Sequence, residues 1–107
     1  MGAELDSQAS IRNAASMIQA KVDKIDIVIN CADIMAVKEY KKSVDGIELQ
    51  FATNHIGHFL LTNLLMDGIL AAGEGARIVN VSSDGYAISP MRLDDYNFQV
   101  CTGCLSS

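Results

Sequence analysis

Positive charge is scarce in this chain. Lys and Arg number 8 against 13 Asp and Glu over 107 residues, a formal net charge of −5. No basic cluster is larger than Lys38, Lys41 and Lys42. A phosphate-backbone binder needs a positive face, so nucleic acid is not an expected partner. Cysteine is also sparse, and the 3 present are an odd number. That count argues against a disulfide framework and fits a reducing compartment. Met1 to Ser10 is small and polar, without the charged region and apolar core of a secretory leader. Long apolar runs are missing as well. The most apolar stretch, Ile56 to Ala72, contains His58, Asn63 and Asp67 and reads as a core helix, not a membrane span. With no internal repeat, low-complexity tract or linker, the expectation is one small, soluble, cytoplasmic domain. Hydrophobic residues make up 50% and charged residues 20%, which excludes wholesale disorder.

What is present alternates between two periods. Ala3 to Asp6 reads as the tail of a strand, and Ser7 as the N-cap of a helix. Ile11, Ala14, Ala15, Ile18 and Val22 then fall on one helical stripe, leaving Arg12, Gln19, Lys21 and Lys24 to face water. Ile25 to Ala32 is a continuous apolar run, as in a strand buried on both faces of a parallel sheet. A polar loop from about Ala36 to Val44 leads into a long helix, Asp45 to Met66. Asp45 is expected to cap its first turn, with Glu48 reaching back as in a capping box. Ile47, Phe51, Phe59, Leu60 and Leu64 give its apolar face. After Gly73 and Gly75 the period changes again, to the strand Arg77 to Ser82. From Gly85 onwards there is no periodicity, and residues 100–107 read as an unstructured tail.

Strand end, helix, strand, helix, strand is an α/β pattern with crossover connections. Ligands in open parallel sheets sit beyond the carboxyl ends of the strands. Ser82 and Ser83 end the last strand, so chemistry is expected beside them. Gly73-Glu74-Gly75 is not a dinucleotide fingerprint, because it precedes a strand instead of following one. His55-x-x-His58 and Cys101-x-x-Cys104 have spacings that invite a zinc reading. The histidines belong to the long helix and the cysteines to the least structured segment, so no metal site is expected.

The blocks DGIELQFATNHIGHFLLTNLL and RIVNVSS, in that order, resemble the short-chain dehydrogenase/reductases, and within them the retinol-dehydrogenase-like and WW-domain-oxidoreductase-like branch. The resemblance runs from about Glu4 to about Gln99, which sets the expected domain at residues 1–99. It implies part, about half, of an NAD(P)-binding Rossmann-like doubly wound parallel sheet. It also implies hydride transfer between a nicotinamide and an alcohol or carbonyl, with retinoid, steroid or other lipid-like substrates.

By this resemblance Asn54 matches the asparagine that holds a water in the proton relay; spacing alone favours a solvent-facing helix residue. Ser83 matches the serine that hydrogen-bonds the substrate oxygen, and otherwise simply ends a strand. Asn30-Cys31-Ala32-Asp33 stands where the family has Asn-Asn-Ala-Gly beneath the cofactor, so Asn30 and Ala32, with Val81, are cofactor-proximal positions. The Asp33 replacement adds a Cβ and a negative charge where close backbone approach is needed. Asp6 resembles the aspartate that meets the adenine, and reads equally well as a helix cap.

Two family features do not occur in the chain. The catalytic tyrosine is followed four residues later by lysine, which helps tune its pKa. Here Val44 follows Tyr40 at that spacing, Pro90 follows Tyr86 and Val100 follows Tyr96. There is also no strand, glycine-rich turn and helix to cradle a pyrophosphate. The chain itself is therefore expected to be inactive and marginally stable, with an open apolar strand edge. The alternative is a non-enzymatic module or decoy that pairs with a full-length relative, or with itself, through residues 45–67.

Overall fold

The computed structural model describes residues 2–35, 39–88 and 92–97. Its frame is a two-stranded parallel sheet, β1 (Ile27–Asn30) beside β2 (Arg77–Asn80), with Ile27 opposite Arg77 and Asn30 opposite Asn80. Backbone bonds extend the ladder at both ends, from Arg77 N to Asp26 O at 2.9 Å and from Val81 N to Asn30 O at 2.9 Å. Parallel strands need a crossover, and the whole of residues 31–76 provides it.

Helix α1 (Gln8–Lys21) forms where its stripe placed it, and Ile11, Ala14 and Ala15 are buried. Ser7 is its N-cap, its hydroxyl accepting from Ser10 N at 3.3 Å. The residues before it do not form a strand. Glu4 to Ser7 is a turn closed by Ser7 N to Glu4 O at 3.2 Å, with no strand beside it to pair with among the described residues.

The long helix is segmented. It consists of α2 (Leu49–Phe51), a π-turn (Ala52–Ile56), α3 (Gly57–Leu64) and α4 (Met66–Ala71), with a break at Leu65 where ψ is 1°. Its start differs from the expected capping box. Glu48 is itself the N-cap, its carboxylate accepting from Gln50 N and Phe51 N at 2.8 Å each. Asp45 instead reaches the other helix, accepting from Gln8 N at 2.8 Å at the amino end of α1. Both carboxylates still answer the unsatisfied N–H groups and positive end of a helix, but they serve different helices.

The core lies between α1, α3–α4 and one face of the sheet. Ala15, Leu65 and Ile69 are its buried centre, joined by Ile18, Ile25, Val28, Leu61, Leu64 and Ala76. The strands are not buried on both faces as their composition led one to expect. Alternation puts Val28 toward the helices and Ile27, Ile29, Val79 and Val81 on the opposite face. Those four are 59%, 63%, 43% and 56% exposed. The described residues supply one helical layer, and nothing among them covers the second face. The segment 92–97 packs back onto the loop before α2, with Asn97 bonded to residues on it. The 100–107 tail, with Cys101 and Cys104, lies outside the described residues.

Candidate active site

The carboxyl ends of β1 and β2 open onto a cleft of about 380 Å³ bounded on the other side by the π-turn and α3. Asn30, Asn80, Val81 and Ser82 come from the strands, and Asn54, His55, His58, Phe59, Thr62 and Asn63 from the helix. Most of the lining residues are polar, which is unusual for a surface between a sheet and its covering helix.

A hydrogen-bonded triad centred on the buried Asn30 builds the floor. The Asn30 carboxamide nitrogen donates to Asn80 Oδ1 at 2.8 Å and to Thr62 Oγ1 at 3.0 Å. Asn30 is buried, and a buried amide must find partners. Its two bonds tie β1 to β2 and both strands to α3. The repeated ending, Val28-Ile29-Asn30 and Ile78-Val79-Asn80, becomes meaningful once the register sets the two asparagines side by side.

Asn54 sits within the π-turn, and π-turns inside helices recur at functional sites. Its exposed side chain makes two bonds to one residue: Ile34 N donates to its Oδ1 at 2.8 Å, and its Nδ2 donates to Ile34 O at 2.8 Å. This two-bond clasp fixes the loop that leaves β1, including Ala32 and Asp33, against the helix.

Directly after the π-turn, Gly57 lets the helix touch the turn before α1. A Cβ there would overlap the Leu5 carbonyl oxygen and lie 3.0 Å from Leu5 Cβ and 3.1 Å from Ala52 O. Along the helix, Phe51, His55 and Phe59 stack with centroids 5.5 and 6.5 Å apart. Tyr96 adds a tilted ring 5.9 Å from Phe51.

The candidate residues divide accordingly. Asn30, Asn54 and Val81 meet at the cleft together with Ser82. Ser83 follows on an exposed stretch just beyond the strand. Ala32 is exposed on the clasped loop, and Asp6 lies in the turn before α1, away from the cleft lining. Thr62, Asn80 and Ile34 are the partners that sequence reading missed. His55 and His58 line the cleft, and among the described residues no group of three or more His, Cys, Asp or Glu could hold a metal ion.

The residues present do not by themselves make a dinucleotide site. The Asn30 amide is committed to Thr62 and Asn80. Gly46, Gly73 and Gly75 are the described glycines with positive φ, and none of them joins a strand's carboxyl end to a helix. The amino end of α1, the other place for a phosphate, is filled by the hydroxyl of Ser7 and the carboxylate of Asp45.

A two-layer α/β unit with polar strand ends facing a π-turned helix defines part of a Rossmann-like domain. Comparison with known proteins places it further. The short chain dehydrogenase family matches residues 1–93, and the chain belongs to that family. It is 42% identical over 96 residues to human retinol dehydrogenase 13, covering 90% of this chain and 28% of that protein. It is 37% identical over 101 residues to human polyprenol dehydrogenase, covering 92% and 30%. Among solved structures, a protein of uncharacterised function from Mycobacterium paratuberculosis superposes with a TM-score of 0.72 at 38% identity, over 92% of this chain and 33% of that one. An active-site complex of Pseudomonas aeruginosa RhlG with NADP superposes with a TM-score of 0.62 at 25% identity, over 86% and 37%. The chain thus spans under a third of the length of the curated relatives it matches, 28% and 30% for these two.

Proposed function

We propose that this chain is part of an NAD(P)-dependent oxidoreductase that interconverts an alcohol and a carbonyl group on a retinoid, steroid or other lipid-like substrate. We infer also that the chain alone is catalytically incompetent. The observation that carries the reading is the Asn54 clasp within the π-turn, set across the cleft from the strand end at Ser82. In this reading Asn54 holds a water of the proton relay, while its side-chain bonds to Ile34 keep the Ala32–Ile34 loop in place. Ser83 hydrogen-bonds the substrate oxygen. Asn30 acts through the sheet, locking the strand ends; Ala32 and Val81 form one wall of the cofactor space, and Asp6 meets the adenine end. The nicotinamide supplies the redox chemistry when the whole protein binds it, and the acid/base pair comes from residues that this chain does not contain.

Two facts support the part-protein reading: the share of each relative that is covered, and the uncovered sheet face at Ile27, Ile29 and Val79. The test is the intact mass of the species that carries these peptides in the native source. A species well above 11.5 kDa is expected, and one at 11.5 kDa alone would overturn the reading. The second reading, a decoy or dimerising module, draws on the 62% exposure of Phe59 on the helix face. It requires co-purification with a full-length relative in a fixed ratio, lost on Phe59→Glu.

Among the described residues no helix is long and apolar enough to cross a membrane, and the cytoplasm is the compartment we propose for this part of the chain.

A further inference from the structure

The cleft's aromatic wall is joined to a segment that the proposed reaction does not use. Residues 39–48 fold into a tight loop. Ser43 N donates to Ile47 O at 2.7 Å, Leu49 N to Lys41 O at 2.9 Å, and Ser43 Oγ accepts from Asp45 N and Ile47 N at 3.3 Å each. Ser43 and Glu48 are buried in it, and Asp45 anchors it to α1. Asn97 closes on this loop from 49 positions away in sequence. Its Oδ1 accepts from Glu48 N at 2.5 Å, its Nδ2 donates to Gly46 O at 3.2 Å, and its backbone carbonyl accepts from the Tyr40 hydroxyl at 2.6 Å.

Gly46 and Glu48 flank the turn at the mouth of the long helix, so the contact is made by backbone groups whose position the loop has already fixed. The residue before Asn97 is Tyr96, whose ring meets Phe51; Phe51 stacks on His55, and His55 on Phe59. His55 and Phe59 line the cleft. One row of rings therefore runs from the docked segment to the cleft wall. Aromatic contacts of this kind have preferred geometry, so fixing one ring constrains the next.

We propose that Asn97 is a positioning residue: it latches residues 92–97 onto the loop at Gly46–Glu48, and the latched Tyr96 sets the aromatic row that walls the cleft. Describing that wall as a substrate wall rests on the proposed oxidoreductase reading; the latch does not, and it is measured without turnover.

A second property follows the latch. Burial of the Tyr40 phenol, with the Glu48 and Asp95 carboxylates beside it, raises its pKa above the ordinary tyrosine value. Release of the segment takes the Asn97 carbonyl and the Asp95 carboxylate away from the phenol.

The test compares the full chain with Asn97→Ala and Asn97→Asp by amide exchange and NMR. In the parent chain the Glu48 amide is protected; if it exchanges at the unprotected rate, the proposal fails. Asn97→Ala is expected to speed Glu48 exchange roughly tenfold or more, as for loss of one or two hydrogen bonds, and to shift the His55 ring resonances. Val81 N–H, bonded across the sheet, should keep its rate. Unchanged His55 resonances would overturn the positioning role, whatever Glu48 does. If Asn97→Ala unfolds the chain, Asn97→Asp decides. It keeps an acceptor for Glu48 N–H but sets a carboxylate oxygen against the Gly46 carbonyl, which displaces the segment and the Tyr96 ring with it, so the His55 resonances should move; stationary His55 resonances refute the proposal.

Discussion

Gly57→Ala tests how the long helix meets the amino-terminal turn. An alanine in place of a helical glycine ordinarily stabilises by about 0.5–1 kcal/mol, because glycine loses more chain freedom on folding. At Gly57 the added methyl meets backbone, not a movable side chain. It overlaps the Leu5 carbonyl oxygen and sits 3.0 Å from Leu5 Cβ. Relief requires the Glu4–Ser7 turn to move, and that turn carries the N-cap of α1. Overpacking of this kind costs typically about 1–3 kcal/mol. Because the overlap is with backbone, the steric cost falls in the upper part of that range, about 2–3 kcal/mol, and exceeds the entropic gain, leaving a net loss of about 1–2 kcal/mol. With a urea dependence of about 1 kcal/mol/M for a small domain, the midpoint should fall by about 1–2 M. Gly68→Ala is the control. Its methyl would meet the end of the flexible Ile25 side chain, Cδ1 at 3.2 Å, which can turn aside. Urea titration followed by helical circular dichroism should therefore show Gly57→Ala less stable than the parent chain and Gly68→Ala equal or better. Equal or improved stability of Gly57→Ala would refute the close approach of helix and turn.

Further outcomes follow from the same contacts. Asn30→Ala removes the two hydrogen bonds that this buried amide makes to Thr62 and Asn80, and should cost about 1–3 kcal/mol in urea titration. Asp45→Ala should lower stability by about 0.5–2 kcal/mol through α1, with faster exchange at the Gln8 amide and no change at Gln50 and Phe51, which Glu48 caps. Tyr40 has a folded pKa above its unfolded value, so its contribution is complete below the unfolded pKa and is lost as pH rises through the folded one. Alkaline titration at 295 nm should show one phenol ionising above the ordinary tyrosine range, and Tyr40→Phe should abolish that phase.

Local pattern made α1 legible, because one stripe and one cap suffice: Ile11, Ala14 and Ala15 are buried and Ser7 caps, as their spacing requires. The capping of the second helix was not legible in the same way. Asp45 and Glu48 have capping-box spacing, but Asp45 bonds an amide 37 positions earlier, and no local rule carries that distance. The strands were read correctly as members of a parallel sheet, since Ile27–Asn30 and Arg77–Asn80 pair in that sense. Their apolar composition, however, reports a sheet with two covered faces, and the described residues cover one. In the cleft, Asn54 was singled out by its surrounding motif, while its clasp on Ile34 depends on where the loop returns. The Asn30–Asn80–Thr62 triad and the Asn97 latch both require knowledge of register or docking, and neither has a local signature.

The central claim is that this chain carries one wall of a cofactor and substrate site without the cradle that holds a dinucleotide. Titrating the purified chain with NADH and NADPH, followed by nicotinamide fluorescence, tests it most directly. The account predicts no saturable binding up to about 1 mM, the upper end of ordinary working concentrations for enzyme ligands. Saturable binding in the micromolar range by either nucleotide would contradict it.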